Sequence, residues 1–436
     1  MTDVKTWQPA AAPPGGSQPS PKRVHKGSAR HVSSHDRVVA ALAIAPLLIT
    51  LGLVATVVWM SFQADPSRPG SRLTDAAYRQ LAGSDTIRSV LLNTVVFTVV
   101  AVAVSGLFGV VAAWLVGRTN MPGKNLVRTL MTVSVILPGY LTAMGWLFLF
   151  GPRIGSVNDF LAKVPLLSGL EINIASPAGM GVVQGFSLAP LFFIMLVDVF
   201  ASADPSFEEA AQVHGLRRLT VTTRVILPLV RPSVLAAAFY TSMVAAAAFD
   251  VPAIVGLSGR VLTLSTYLYL ILNPGAASSP AYSEAAAVGV LLVLATLLPM
   301  LLYLRLLNRS YKYGVISGKG YRVRLSRLTG PGKVYAWTFL GFYFAFAQLL
   351  PVLNTVWTSL QPYMRPISRA AFSDISLEAY RTMPWDLLMQ GFRNTVFLML
   401  LAPTLAVFFA VFISWTVIRS RLAWRGLYDF GAFLPL

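Results

Sequence analysis

The sequence contains no cysteine. Disulfides and thiolate metal sites are therefore excluded. Charge is scarce: Asp, Glu, Lys and Arg make up 12% of 436 residues, against about 25% in a soluble domain. Acidic residues are scarcest, 17 against 35 Lys and Arg, which gives a formal net charge of +18. Histidine occurs only as His25, His31, His35 and His214, three of them in the N-terminal tail, where solvated side chains are the expected reading. No carboxylate pair, Ser-His-Asp set or metal-ligand cluster is present in the pattern, so no catalytic, cofactor-binding or metal-binding residue is assigned. Gly314 to Lys319 falls short of a phosphate loop, because only three residues separate Gly314 from Gly318 and Gly320 stands where Ser or Thr is needed. ATP hydrolysis by this chain is not expected.

What the chain does contain is apolar surface. Hydrophobic residues make up 55% of it, and the mean hydropathy is +0.65. Runs long enough to cross the hydrocarbon, roughly 20 residues, recur at 38–62, 89–117, 126–151, 178–202, 233–257, 284–308, 334–360 and 391–418. A ninth begins near Arg425 and meets the end of the chain. The fold class predicted is an all-α polytopic membrane protein, with the lipid bilayer as its first partner. Lys and Arg lie in short clusters between the apolar runs, without the interleaved aromatics of a nucleic-acid surface, so a nucleic-acid partner is excluded.

The basic clusters also predict orientation. Lys22, Arg23, Lys26, Arg30 and Arg37 precede the first run. Arg118, Lys124 and Arg128 follow the second; Arg217, Arg218, Arg224 and Arg231 follow the fourth; Arg305 to Lys333 follow the sixth; Arg419, Arg421 and Arg425 follow the eighth. The N-terminus and the even-numbered loops are therefore expected on the cytoplasmic side of a cell inner membrane. Residues 1–36, rich in Pro, Gly and Ser without an apolar period, read as a disordered cytoplasmic tail and not as a cleavable signal.

The chain also repeats itself. Val58-Trp59-Met60-Ser61-Phe62-Gln63 matches Val356-Trp357-Thr358-Ser359-Leu360-Gln361. Ala77-Tyr78-Arg79 matches Ala379-Tyr380-Arg381, and Asn93-Thr94-Val95 matches Asn394-Thr395-Val396. From there the register holds, Trp114 answering Trp415 and Arg118 answering Arg419, and Leu137-Pro138 is answered by Leu434-Pro435. Equivalent positions are six spans apart, an even number, so the copies are parallel. The expected layout is a tail over 1–36, a first six-span unit over 37–310, a cytoplasmic linker over 311–333, and over 334–436 an incomplete second unit, the start of a protein of about twelve spans.

One loop carries a motif. Asp204-Pro205 reads as a helix start with Pro in the first turn. Glu209-Ala210-Ala211 lies in the two turns that follow, Gly215 permits a left-handed stop, and Val225-Ile226-Leu227-Pro228 leads into the fifth span. This resembles the EAA loop of ABC importer permeases: E-A-A, three residues, Gly, nine residues, then I-x-L-P, with Val225 in place of the usual Ile. The resemblance implies the type I ABC importer permease fold. It also implies that Glu209, Ala210, Ala211, Gly215, Leu227 and Pro228 form a coupling segment docking on separate ATP-binding cassette subunits, and that an external substrate-binding protein delivers the ligand.

Fused two-copy permeases of this kind serve ferric iron, thiamine and phosphonates, and Ser317-Gly318-Lys319-Gly320-Tyr321-Arg322 resembles the inter-half segment of the ferric-iron branch. Ferric iron is the substrate expected from that resemblance. Thiamine, 2-aminoethylphosphonate or a polyamine are the alternatives, and a gradient-driven secondary transporter is the alternative of another class. Asp250, Pro252 and Pro138 are the candidates for the translocation path, because an ionisable residue and helix-breaking prolines inside spans need a reason to be there. Asp198, close to the cytoplasmic end of its span, is read as a cap or a snorkelling group.

Overall fold

The computed structural model describes residues 34–202, 220, 227–310 and 325–419, except 69, 153–154, 166, 168, 276–279, 364 and 366–368. In chain order the helices are α1 (Ser34–Ser61), α2 (Ala76–Ala82), α3 (Asp85–Arg118), α4 (Lys124–Ser134), α5 (Gly139–Phe150), α6 (Ser156–Lys163) and α7 (Pro177–Ser202). There follow α8 (Leu227–Ala247), α9 (Leu264–Leu272), α10 (Tyr282–Ser310), α11 (Gly330–Phe344), α12 (Leu350–Ser359), α13 (Arg369–Ser373), α14 (Glu378–Arg381) and α15 (Trp385–Arg419). Only two isolated β-bridges occur among the described residues.

Among the described residues, seven helical stretches are long and apolar enough to cross a membrane: 42–61, 85–118, 177–202, 228–247, 282–303, 330–359 and 385–419. The expected third run, 126–151, differs. It is two helices, α4 and α5, bent by 97° at the break between them. Pro138 explains the break, since it lacks an N–H and biases Leu137 away from helical geometry. The chain reaches it through tightened turns, Ile136 N–H to Val133 O at 3.0 Å and Leu137 N–H to Ser134 O at 3.3 Å. The run is also less apolar than its length suggests. Val127, Met131 and Ser134 are buried on one face of α4, whereas Asn125, Arg128, Thr129 and Thr132 are not.

The chain divides into two compact units, 50–397 and 1–49 with 398–435. In the second of these, Val39, Ala43 and Leu47 form a buried stripe at every fourth residue of α1. In the first, α3 and α7 make the central pair. Phe97, Ala101, Ser105, Phe108 and Ala112 recur along one face of α3 and are buried. Gly181 and Gly185, four apart on α7, allow close approach: a Cβ at Gly185 would stand 2.6 Å from Val104 Cβ and 2.9 Å from Ala101 O.

Residues 330–359 pack onto that pair. The Phe108 ring stacks on Phe339 at 5.0 Å and lies 5.4 Å from Tyr343, and the Tyr343 hydroxyl donates to Phe186 O at 3.1 Å. Between α11 and α12 the helix widens into a π turn over Ala345–Leu349, just ahead of Pro351. The wider turn relieves the clash a proline ring makes with the carbonyl four residues back. The linker is anchored too. Ser326 N–H donates to Arg118 O at 2.8 Å, Asn120 N–H to Ser326 O at 3.0 Å, and Leu328 N–H to Asn120 Oδ1 at 2.6 Å.

Candidate functional site

Two interrupted helices meet at Asp250. The first is α8, whose regular turns end at Ala247. Ala248 and Phe249 lie outside helical structure, and the chain re-enters a helix at Asp250 and then a π turn over Pro252–Gly256. A break inside a span frees backbone groups that lipid cannot satisfy. Here they are met from within: Ser265 Oγ donates to Ala248 O at 2.7 Å, and Ala253 N–H donates to Phe249 O at 2.8 Å. Val251, Pro252 and Val255 are buried, so the interruption sits in packed protein.

The second interruption is the bend between α4 and α5. Pro138 caps α5 in an extended conformation, and its carbonyl accepts the Leu141 N–H at 3.0 Å. Gly139 opens the helix. Its missing side chain is what Asp250 occupies, for a Cβ there would stand 1.6 Å from Asp250 Oδ2. The half-buried carboxylate thus lies against the first residue of α5, where the unpaired N–H groups of a helix start favour negative charge. Of the three candidate path residues, the structure brings Asp250 and Pro252 to one interruption, and Pro138 shapes the other. Pro138 itself is exposed. Asp198 is exposed on the last turns of α7.

A further polar link crosses near this point. Gln348, in the π turn between α11 and α12, donates its side-chain amide to Ser134 Oγ at the end of α4. Gly145 of α5 lies against Pro351, where a Cβ would stand 2.3 Å from Pro351 O. The broken pair α4–α5 is therefore held by α8's interruption on one side and by residues 348–351 on the other.

A cavity of about 720 Å³ lies elsewhere in the same unit, lined by Gln63, Asp65, Arg68, Gln80, Ser283 and Glu284 among others. Ser283 Oγ donates to Gln63 O at 2.7 Å and ties the loop after α1 to the start of α10. Tyr267 donates to Glu284 Oε1 at 2.8 Å; burial first, and then that bond, push its phenol up to about 12.

Residues 105–313 match the family described as "Binding-protein-dependent transport system inner membrane component". The matched stretch runs from the middle of α3 through α10 and contains both interruptions and the whole predicted coupling segment. The chain is 26% identical over 326 residues to the ABC transporter permease protein y4fN of Sinorhizobium fredii, covering 74% of this chain and 54% of that protein. It is 25% identical over 406 residues to a protein described as a ferric transport system permease, FbpB 1, of Haemophilus influenzae, covering 91% of this chain and 61% of that one. It is 28% identical over 232 residues to the sulfate transport system permease protein CysW of Escherichia coli, covering 53% of this chain and 77% of CysW. The chain thus spans little more than half the length of the first two relatives.

Within the matched stretch, Glu209, Ala210, Ala211 and Gly215 lie outside the described residues. Leu227 opens α8, and Pro228 follows it, exposed, in the first turn, where a missing N–H costs nothing. Sequence reasoning did not anticipate that Gly139 makes room for Asp250, nor that Gln348 reaches Ser134. Pro138 did stand out as a helix-breaking proline inside a span, but no spacing rule connects position 139 to position 250. Gln348 carried no signal at all.

Proposed function

We propose that this chain is the transmembrane permease subunit of an ATP-driven importer, passing a ligand from an external binding protein across the inner membrane. The observation that carries the reading is the family match over 105–313, which encloses the Glu209–Pro228 pattern between two apolar spans. On this reading the N-terminus is cytoplasmic, and Glu209, Ala210, Ala211, Gly215, Leu227 and Pro228 meet the ATPase subunits. Closure of those subunits pulls on α8, which begins at Leu227 and ends at the interruption before Asp250. A rigid helix of 21 residues carries a displacement at its first turn to its last.

The Asp250–Gly139 contact is then the element that moves. Asp250, Pro252 and Pro138 border the translocation path, and parting α8's interruption from the start of α5 opens it. Irregular backbone at membrane depth is tolerated where it is buried in protein or lines a cavity, and one interruption can serve both in turn.

For the substrate, ferric iron is the first reading. Its support is extent: the relative described as a ferric permease aligns with 91% of this chain, the sulfate permease CysW with 53%. Sulfate, thiamine, 2-aminoethylphosphonate and polyamine remain the competing ligands in an uptake assay.

The test is a pull-down of the tagged gene product from its native membranes, comparing wild type with Gly215→Asp. An ATPase subunit that accompanies wild type, and is reduced about tenfold or more by the substitution, supports the reading. Absence of any ATPase from the wild-type sample refutes it and leaves a gradient-driven transporter, which would then take up ligand without ATP.

A further inference from the structure

A dipeptide of α3 holds the chain just ahead of α9. Asn93 Nδ2 donates to Leu262 O at 3.0 Å. Thr94 Oγ1 donates to Val90 O at 2.8 Å, and the same oxygen accepts the Leu264 N–H at 2.9 Å. The two inter-segment bonds bracket Thr263, whose extended backbone and capping box start α9. Two side chains thus seat a connection some 170 residues away along the chain.

The second copy carries the same dipeptide as Asn394-Thr395, on α15. Thr395 Oγ1 donates to Gly391 O at 2.8 Å, the counterpart of the Thr94–Val90 bond. Its oxygen is therefore posed to accept an N–H as Thr94 does. Asn394 is exposed, and its side chain makes no hydrogen bond among the described residues. It sits nine residues into an apolar helix, roughly 13 Å along the axis. Arg393 beside it has the reach to snorkel toward water, but an asparagine side chain is too short to do so. An amide left unpaired in hydrocarbon is costly.

We propose that Asn394 and Thr395 form a two-bond clamp for the backbone of a second six-span permease unit, seating the extended residue that caps that unit's equivalent of α9. The occupant is a segment of apolar residue, capping residue, apolar residue, like Leu262-Thr263-Leu264. Its carbonyl takes the Asn394 amide, and its N–H two residues on reaches the Thr395 hydroxyl. The first copy is the template for what covers the second. The inference rests on the permease reading only in taking α15 to cross a membrane. The unit that supplies the segment is either continuous with this chain or a separate polypeptide.

The test places the photo-crosslinking residue p-benzoylphenylalanine at position 394, and as a control at position 93, in the full-length gene product in its native membranes. Position 93 is expected to crosslink to the peptide containing Leu262–Leu264. Position 394 is expected to crosslink to a segment just ahead of a short helix in a second unit. An adduct that keeps the mobility of the uncrosslinked chain assigns the segment to the same polypeptide, and one raised by a subunit's mass assigns it to a separate one. Thr395→Val is expected to lower the yield from position 394 severalfold, with Thr395→Ser restoring it. Adducts at 394 to lipid alone, or to residues within 1–436, overturn the proposal, as does failure of position 93 to reach Leu262–Leu264. A clamp crosslink obtained where no ATPase co-purifies would sink the importer reading and leave the clamp standing.

Discussion

Ser61 and Tyr78 join hydroxyl to hydroxyl at 2.7 Å, closing the loop between α1 and α2. Ser359 and Tyr380, their counterparts in the second copy, do the same at 2.7 Å. The agreement extends through the loop. Thr74 N–H donates to Phe62 O, and Ser376 N–H to Leu360 O; Arg79 N–H donates to Asp75 O, and Arg381 N–H to Leu377 O. The Thr74 hydroxyl accepts from Ala76 N at 3.1 Å, and the Ser376 hydroxyl from Glu378 N at 3.0 Å. Thr74 and Ser376 are different residues making one bond, which is what a duplication that keeps function of the bond and drifts in identity would leave.

The two serine–tyrosine bonds differ in setting, and that yields a graded prediction. Ser61–Tyr78 is part-buried, whereas Ser359–Tyr380 is exposed. Tyr78→Phe should cost about 0.5–1.5 kcal/mol, and Tyr380→Phe less, because water replaces an exposed partner readily. Thermal unfolding of the purified protein in detergent should show the larger fall in Tm for Tyr78→Phe. Equal shifts would contradict the ranking.

The contact between Gly139 and Asp250 predicts strong coupling. Gly139→Ala forces the carboxylate off the start of α5, since the new Cβ would stand 1.6 Å from Oδ2. Shortening the acid in Asp250→Ala makes room. The double variant should therefore be more stable than the sum of the single effects predicts, by an interaction energy of about 0.5–3 kcal/mol. The same cycle run on ATP-driven uptake should show Gly139→Ala severely impaired and the double variant partly recovered. Additive effects in both assays would mean that the two residues do not act together.

Much of this was legible in the sequence. Apolar runs located several long helices to within a few residues, 89–117 becoming Asp85–Arg118 and 178–202 becoming Pro177–Ser202, whereas 233–257 became Leu227–Ala247 because the helix is interrupted at Ala248. The repeat was legible because Asn, Trp and Arg recur in one register, which composition alone does not produce. The third run, 126–151, is bent by 97° between α4 and α5, and apolar length does not reveal that bend because it does not say where the polar side of 124–134 goes. Pro138 was legible as a helix breaker, but the size of a bend depends on what packs into it, here Asp250 and residues 348–351. Contacts such as Gly139–Asp250 join interruptions on separate spans, and no local pattern encodes which interruptions meet.

Close approach of α3 and α7 makes Gly185 sensitive to any side chain. A Cβ at that position would stand 2.6 Å from Val104 Cβ and 2.9 Å from Ala101 O, the second a backbone atom that cannot turn aside. Gly185→Val should destabilise by about 1–3 kcal/mol through overpacking and lower the amount recovered from membranes. Gly341→Ala is the matched control, for nothing lies within 4 Å of the added carbon. It should be neutral or slightly stabilising, since alanine favours a helix over glycine. A Tm for Gly185→Val equal to that of Gly341→Ala would mean that α3 and α7 do not pack this closely.

The linker strap gives a prediction readable without a transport assay. Asn120 Oδ1 accepts from Leu328 N at 2.6 Å, and two backbone bonds join Ser326 to Arg118 and Asn120. Arg327 lies between the pinned residues, so trypsin must first lift the strap to cleave there. Asn120→Ala removes one of three bonds and leaves the backbone pair. Loss of one such bond is worth about 1 kcal/mol, so the opened fraction should rise about fivefold. Where opening is fast relative to cleavage, the cleavage rate follows that fraction. Limited proteolysis of the purified protein should therefore cut after Arg327 about fivefold faster in Asn120→Ala, with cleavage after Arg72, exposed in the loop after α1, unchanged as the internal reference. Equal rates after Arg327 would show that the Asn120 bond does not hold the linker, and acceleration at both sites would mean that the substitution loosened the whole unit.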